Sequence, residues 1–395
     1  MNIRGISKDM YKRLISLDKT PSRSFFLWGS RQTGKSTLLN HLYPDALKVD
    51  LLKSEEFAKY GPKPHLLREK IKNIQEPVLV VIDEIQKIPA LLDDVHWLIE
   101  NTPHTFALSG SSARKLKRTQ ANMLGGRALR YELYGLVSKE LGDDFDLVKL
   151  LNRGYLPSHY LASEKEIKKL ISSYVGDYLK EEIVAEALVR NLNSFSDFLE
   201  KAALSDTELI VLDSFARDVG ISASTIKEYF SILCDTLFGY YLPAYKKKPK
   251  RRTISAPKFY FGNIAIVNHL AQRGYLEPKS PLFGKAFENW IAHELRAYNS
   301  YYDKFQNISY WRLTTGVEVD FIVGSTEIVL ACEAKASPNI HADHLKGLRE
   351  LSKEYSNIRK KVVVSLEDFS KTTDDGIEIL SVNDFRASLW SGKLF

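Results

Sequence analysis

The sequence predicts an α/β amino-terminal domain on a parallel sheet, a helical middle, and an α+β carboxy-terminal domain. Three observations carry this. A glycine-rich loop, Gly29-Ser-Arg-Gln-Thr-Gly34-Lys35-Ser36-Thr37, lies between an apolar run and a helix-like segment. From residue 163 onward, apolar residues recur at 167, 170, 171, 174, 175, 178 and 179, one face of a helix. Farther on, Asp320 and Glu333-Ala-Lys335 interrupt the apolar, strand-like runs 317–323 and 328–335.

At 395 residues with 44% apolar side chains, the chain can bury several cores. Its net charge of +7 suits nucleic acid or another polyanion as partner. Two cysteines, Cys234 and Cys332, lie in apolar surroundings and make no metal or disulfide framework, which fits a reducing cytosol. The first nine residues place charges where a signal peptide needs its apolar stretch. No apolar run approaches the roughly 20 residues that span a bilayer. The expectation is a cytoplasmic protein that does not engage membranes.

Residues 25–28 read as a buried strand leading into the glycine-rich loop, and a helix follows. In that setting, G-x-x-x-x-G-K-S is a phosphate-binding loop. Its glycines let the backbone curl so that N–H groups and the helix N-terminus face an anion. Gly29, Ser30, Arg31, Gln32, Thr33, Gly34, Lys35, Ser36 and Thr37 are therefore expected to bind ATP. Lys35 would reach the β- and γ-phosphates, and Ser36 would ligate Mg²⁺. A second strand, 77–82, delivers Asp83 and Glu84 at its end, as a covered parallel sheet would. Asp83 is expected to hold Mg²⁺ through water, and Glu84 to polarise the attacking water. The plain alternative is an acidic helix cap. A third strand, 105–108, runs into Ser109, which would sense the γ-phosphate or serve only as turn chemistry. Arg127 follows Gly125-Gly126 and would stabilise transition-state charge, in its own subunit or in a neighbour's. The second case implies a homo-oligomer.

The set 29–37, Ile82-Asp-Glu-Ile-Gln-Lys-Ile-Pro89, Leu108-Ser-Gly-Ser-Ser112 and Gly126-Arg127 resembles a prokaryotic AAA-type ATPase family. That resemblance covers nearly the whole chain. It implies a P-loop NTPase core, a winged helix, and a C-terminal nuclease-like region of the DUF4143 type.

In the middle, Ser163-Glu-Lys-Glu166 is a capping-box pattern, and helix is expected to about residue 200. A helix over 208–217, a glycine-bearing turn, and a helix over 225–237 make a helix-turn-helix arrangement. Two aromatic, strand-like arms, 240–245 and 258–261, then flank 246–252, where six of seven residues are basic. That is the look of a wing. Lys246, Lys247, Lys248, Lys250, Arg251 and Arg252 are expected to follow a DNA phosphate backbone, blind to sequence.

The C-terminal order reads as helix 284–296, antiparallel strands with Asp320 and Glu333, helix 344–354, then strand 361–365. This resembles the core of the PD-(D/E)XK nuclease superfamily, a restriction-endonuclease-like α+β fold. Glu288, Asp320, Glu333 and Lys335 fall on the positions that superfamily uses. Residues two apart on a strand share a face, so Glu333 and Lys335 would look into one site. The resemblance implies that Asp320 and Glu333 bind Mg²⁺ or Mn²⁺, with Glu288 as an outer ligand, while Lys335 helps to deprotonate water. A cross-strand salt pair is the plain alternative. The expected division is a P-loop core at 1–135, a helical connector at 136–203, a winged helix at 204–262 and the nuclease-like domain at 263–395. The function expected is an ATPase coupled to a Mg²⁺-dependent endonuclease acting on branched, forked or single-stranded DNA. The alternative is a nucleotide-switched DNA-binding ATPase whose nuclease-like domain only binds.

Overall fold

The computed structural model describes residues 11–112, 124–178, 192–245 and 252–395. Contacts divide the chain into two compact units, Met1–Leu136 with Ile232–Phe238, and Val137–Ser231 with Gly239–Phe395.

The first unit holds β1 (Ser24–Trp28), β2 (Leu47–Asp50), β3 (Leu79–Asp83), β4 (Thr105–Gly110) and β5 (Ala128–Glu132). They lie in the order β2-β3-β4-β1-β5, every neighbour parallel. The inner strands read as unbroken apolar runs because both faces are covered. Phe26, Val80, Ile82, Phe106 and Leu108 are fully buried in one core with Leu92 and Val95 of the helix Leu91–Asn101. The strands β2 and β5 escape the sequence reading. Both are short, and charged residues dilute their apolar signal. Parallel pairing carries the carboxyl ends of β1, β3 and β4 to one edge, where α/β sheets place ligands.

In the second unit, the stretch expected to be helical from 163 to about 200 is described in part, residues 179–191 lying outside the described residues. Ser163 Oγ donates to Glu166 Oε2 at 2.6 Å, and the helix Ile167–Ser173 passes into a π-turn, Tyr174–Tyr178. The helix Leu192–Leu204 buries Phe195, Phe198 and Leu199. The helices Leu212–Val219 and Ala223–Asp235 follow, the second counted with this unit as far as Ser231, and Gly220 ends the first in the left-handed region at φ 73°. An antiparallel hairpin, β6 (Gly239–Leu242) and β7 (Lys258–Phe261), comes next.

One element differs. Residues 208–211 do not open a helix: Phe259 N donates to Glu208 O at 3.1 Å and Ile210 N to Pro257 O at 2.8 Å. The apolar run Leu209-Ile-Val fits either period, and β7 offers it a ladder.

The second sheet contains β8 (Ile308–Arg312), β9 (Glu318–Val323), β10 (Ile328–Lys335), β11 (Ile358–Ser365), β12 (Lys371–Thr372) and β13 (Glu378–Ser381). Its order is β12-β13-β11-β10-β9-β8. The strands β8, β9 and β10 pair antiparallel, while β10 and β11 pair parallel and are joined through the helix Lys346–Glu354. The helix Pro281–Tyr301 buries Phe287, Trp290, Ile291 and Leu295. Its Glu294 carboxylate accepts from Ser138 N and Oγ, both at 2.7 Å, Trp290 Nε1 at 3.1 Å and Trp390 Nε1 at 2.7 Å.

The edge strand β8 is tied to the arms of the basic segment. Tyr245 N donates to Tyr310 O at 2.7 Å, and Ile254 N to Arg312 O at 2.9 Å. Lys246, Lys247, Lys248, Lys250 and Arg251 lie outside the described residues, and Arg252 is exposed. Among the described residues, no helix is long and apolar enough to cross a membrane.

Candidate functional site

The phosphate-binding loop leaves β1 and turns through two left-handed residues, Gln32 at φ 62° and Gly34 at φ 95°. Glycine takes that region freely, whereas glutamine there stores strain of about 1 kcal/mol or more. Gly34 then opens the helix Lys35–Leu42. Lys35 is buried, and its Nζ donates to Gly29 O at 2.7 Å and Ser30 O at 3.1 Å. Thr33 Oγ1 donates to Ser30 O at 2.8 Å. Arg31 and Ser36 are half-buried, and Thr37 is exposed. Arg13, which carries no motif signal, donates to Thr33 O and Tyr134 O, each at 2.6 Å. It fastens the loop to the segment after β5.

Ser36 Oγ donates to Asp83 Oδ2 at 2.5 Å, and the Ser109 hydroxyl donates to Asp83 Oδ1. The ends of β3 and β4 and the start of the helix thus meet at one carboxylate. Glu84 is buried at φ 58°. Its carboxylate accepts from Gln86 Nε2 and, at 3.0 Å, from Ser111 Oγ. Gln86 and Ser111 are partners that the motif reading missed, since their roles depend on β4 passing beside β3. Gly110 permits that passage: a Cβ there would lie 2.5 Å from the Trp28 ring and 2.7 Å from Gln86 Oε1. Arg127 is exposed and ion-paired with Glu100 of its own unit. A hydroxyl and a carboxylate beside a buried ammonium and a helix N-terminus are the donor set that Mg²⁺ and a triphosphate need, so the residues fit both.

In the second unit, the structure brings Glu288, Asp320, Glu333 and Lys335 together. Asp320 lies in β9, Glu333 and Lys335 in β10, and Glu288 on the helix Pro281–Tyr301. Ala334 N donates to Asp320 Oδ2 at 2.9 Å, and Asp320 N to Glu333 Oε2 at 3.4 Å. Lys335 Nζ sits 2.7 Å from Glu333 Oε1, as strand parity requires.

A further residue stands among them. Lys258 opens β7 and is only 2% exposed. Its Nζ lies 2.9 Å from Glu318 Oε1, 3.0 Å from Glu288 Oε1 and 3.5 Å from Asp320 Oδ1. Tyr260, on the same face of β7, donates to Glu288 Oε1 at 2.6 Å. Arg312 Nη1 donates to Glu318 Oε2 at 2.9 Å. Glu318 is thus a member of the cluster, although its sequence position reads as surface.

Burial opposes charge on Lys258, yet Glu288, Asp320 and Glu318 together hold its pKa well above the ordinary lysine value. Burial pushes Glu333 up, Asp320 adds to the rise, and Lys335 opposes it. Burial also pushes Glu288 up, against the pull of Lys258. Four carboxylates, Glu288, Glu318, Asp320 and Glu333, therefore face three cations, Lys258, Arg312 and Lys335. Among the described residues, no group of three or more His, Cys, Asp or Glu side chains is arranged to hold a metal ion. The expected ligands Asp320, Glu333 and Glu288 close instead around the ammonium groups of Lys258 and Lys335. As it stands the cluster does not fit Mg²⁺ or Mn²⁺. A cleft of about 540 Å³ opens beside it, lined by Arg312, Glu318, Glu333, Lys335, His344 and Lys346 among others.

Comparison with known proteins bears on the first unit most directly. Residues 21–142 match the model of an AAA domain. They form an AAA-type ATPase domain. Residues 144–277 match one domain of unknown function, DUF8612, and residues 283–385 another, DUF4143. No curated protein matches the chain. Similar solved structures include the Orc1 protein of Aeropyrum pernix in complex with DNA, at 11% identity and a TM-score of 0.27, covering 64% of this chain and 87% of that one. A signal-transduction ATPase with a tetratricopeptide-repeat sensor from Pyrococcus horikoshii matches at 14% identity and a TM-score of 0.21, over 72% of this chain and 48% of that one. Likeness at those scores carries no argument about this chain.

Proposed function

We propose that the protein is a cytoplasmic, nucleotide-switched ATPase that binds DNA. The observation that carries the ATPase part is the joining of Ser36, Asp83 and Ser109 beside the Glu84–Gln86–Ser111 triad, all at the sheet's carboxyl edge. Bound Mg²⁺ supplies Lewis-acid neutralisation of phosphate charge. Ser36 and Asp83 hold it, while Gly29–Thr37 and the Lys35 ammonium cradle the phosphates. Glu84 takes the proton from the attacking water, and Gln86 and Ser111 fix its carboxylate in place. Arg127 supplies charge to the transition state, in its own subunit or across a homo-oligomer. DNA is gripped by the helix-turn-helix and its hairpin, which we read as a winged helix with a basic wing. The anchoring of both arms of that wing on β8 supports this placement beside the C-terminal domain.

The C-terminal domain we read as nuclease-like in fold but confined to binding. The Lys258 ammonium within the carboxylate cluster supports that choice. A second reading, favoured by the convergence of Glu288, Asp320, Glu333 and Lys335, is a Mg²⁺- or Mn²⁺-dependent endonuclease acting on DNA structure. The test is strand integrity. Forked, single-stranded and duplex DNA incubated with ATP and either metal should stay intact, whereas nicking that Glu333→Ala abolishes would establish the second reading.

A further inference from the structure

Glu288, Glu318 and Asp320 reach one point from a helix and a strand, and the point is buried. What fills it is a side chain from a third element. Lys258 belongs to β7, a strand otherwise made of Phe259, Tyr260 and Phe261, and such a strand has no need of an interior ammonium for packing. Burying one is tolerable only with charged partners, and three are present at 2.9 to 3.5 Å. Neighbouring groups complete the arrangement: Tyr260 shares Glu288 Oε1, Arg312 takes Glu318 Oε2, and Ala334 N takes Asp320 Oδ2. Mg²⁺ or Mn²⁺ needs oxygens at about 2.1 Å in an octahedron, so no such ion can share the point with Nζ.

We infer that this nest is a cation site whose native occupant is the Lys258 ammonium, so that the C-terminal domain works without a metal and becomes a divalent-cation site once that ammonium is removed. The hairpin then does more than pair two strands. It carries the counter-ion of the neighbouring domain, and seating β7 is the same event as filling the site. Nothing here depends on the ATPase reading, because the nest contains no nucleotide-binding residue.

The test uses the full-length, nucleotide-free protein and Mn²⁺, read by electron paramagnetic resonance of the free ion. Wild type should show no Mn²⁺ binding that Asp320→Asn removes. Lys258→Ala should gain one ion, bound at least about tenfold tighter than by wild type, and adding Asp320→Asn should abolish it. Lys258→Arg should remain silent. Should Lys258→Ala not fold, the double variant Lys258→Ala/Glu288→Gln loses one charge of each sign and should show the same gain. Binding by wild type that Asp320→Asn abolishes would overturn the inference, as would failure of both alanine variants to gain an ion.

Discussion

Replacing Asp206 with asparagine should stabilise the protein at pH 8 and not near pH 4. Asp206 is fully buried. Its Oδ1 accepts from Phe261 N at 2.8 Å, and Asn289 Nδ2 reaches both oxygens, at 3.2 and 3.1 Å. It thus ties the hairpin that carries Lys258 to the helix that carries Glu288. Burial pushes its pKa from 3.8 up to about 7, against the Phe261 N–H, Arg273 and Asn289. The unfolded chain releases this proton near pH 4, whereas the folded chain keeps it until about pH 7. Between those values folding takes up a proton, so stability falls as pH rises and levels off above pH 7. Three units at about 1.4 kcal/mol each give a loss of about 4 kcal/mol. Asparagine carries no such linkage, although its amide faces Asn289 and costs about 1 kcal/mol at every pH. Urea unfolding at pH 4, 6 and 8 should therefore show the variant gaining roughly 3–4 kcal/mol on wild type across the range. A difference that does not change with pH would mean that Asp206 does not take up a proton on folding.

Other outcomes follow from the same geometry. Lys35→Ala removes the ammonium at the phosphate loop and should weaken ATP binding by about tenfold or more, measured with a fluorescent analogue. Glu84→Gln should keep ATP binding yet slow phosphate release by roughly 10²–10⁴-fold. If binding fell with it, the carboxylate would be structural. Gly110→Ala forces a methyl against Trp28 and Gln86, and should lower the rate of hydrolysis more than the affinity. Glu294→Ala leaves Ser138, Trp290 and Trp390 donors without their carboxylate. It should cost about 3 kcal/mol or more by chemical denaturation.

What the sequence showed was local. The phosphate loop, Asp83-Glu84 and the parity of Glu333 with Lys335 are set by spacings of a few residues, and the structure places them accordingly. Lys258 was invisible because a lysine before Phe-Tyr-Phe reads as a strand end facing water. Only the arrival of three carboxylates from distant segments makes its burial tolerable. Glu318, on the Asp320 face of its strand, reads as a surface residue for the matching reason, since its partner comes from 60 residues away. Arg13 acts on carbonyl groups, which leave no trace in a motif. The start of the helix expected from 208 gave way to pairing with β7 because the four-residue aliphatic run 209–212 has no period of its own. Of the six basic residues expected in the wing, only Arg252 lies within the described residues.

DNA binding and strand integrity, measured together, test a nucleotide-switched DNA-binding ATPase most directly. Wild type, Lys35→Ala and Glu333→Ala would each meet labelled forked and single-stranded DNA in Mg²⁺, with and without ATP. ATP should change the affinity of wild type and Glu333→Ala by several-fold, Lys35→Ala should not respond, and every strand should stay whole. Cutting by wild type that is lost in Glu333→Ala, or affinity indifferent to ATP, would contradict that reading.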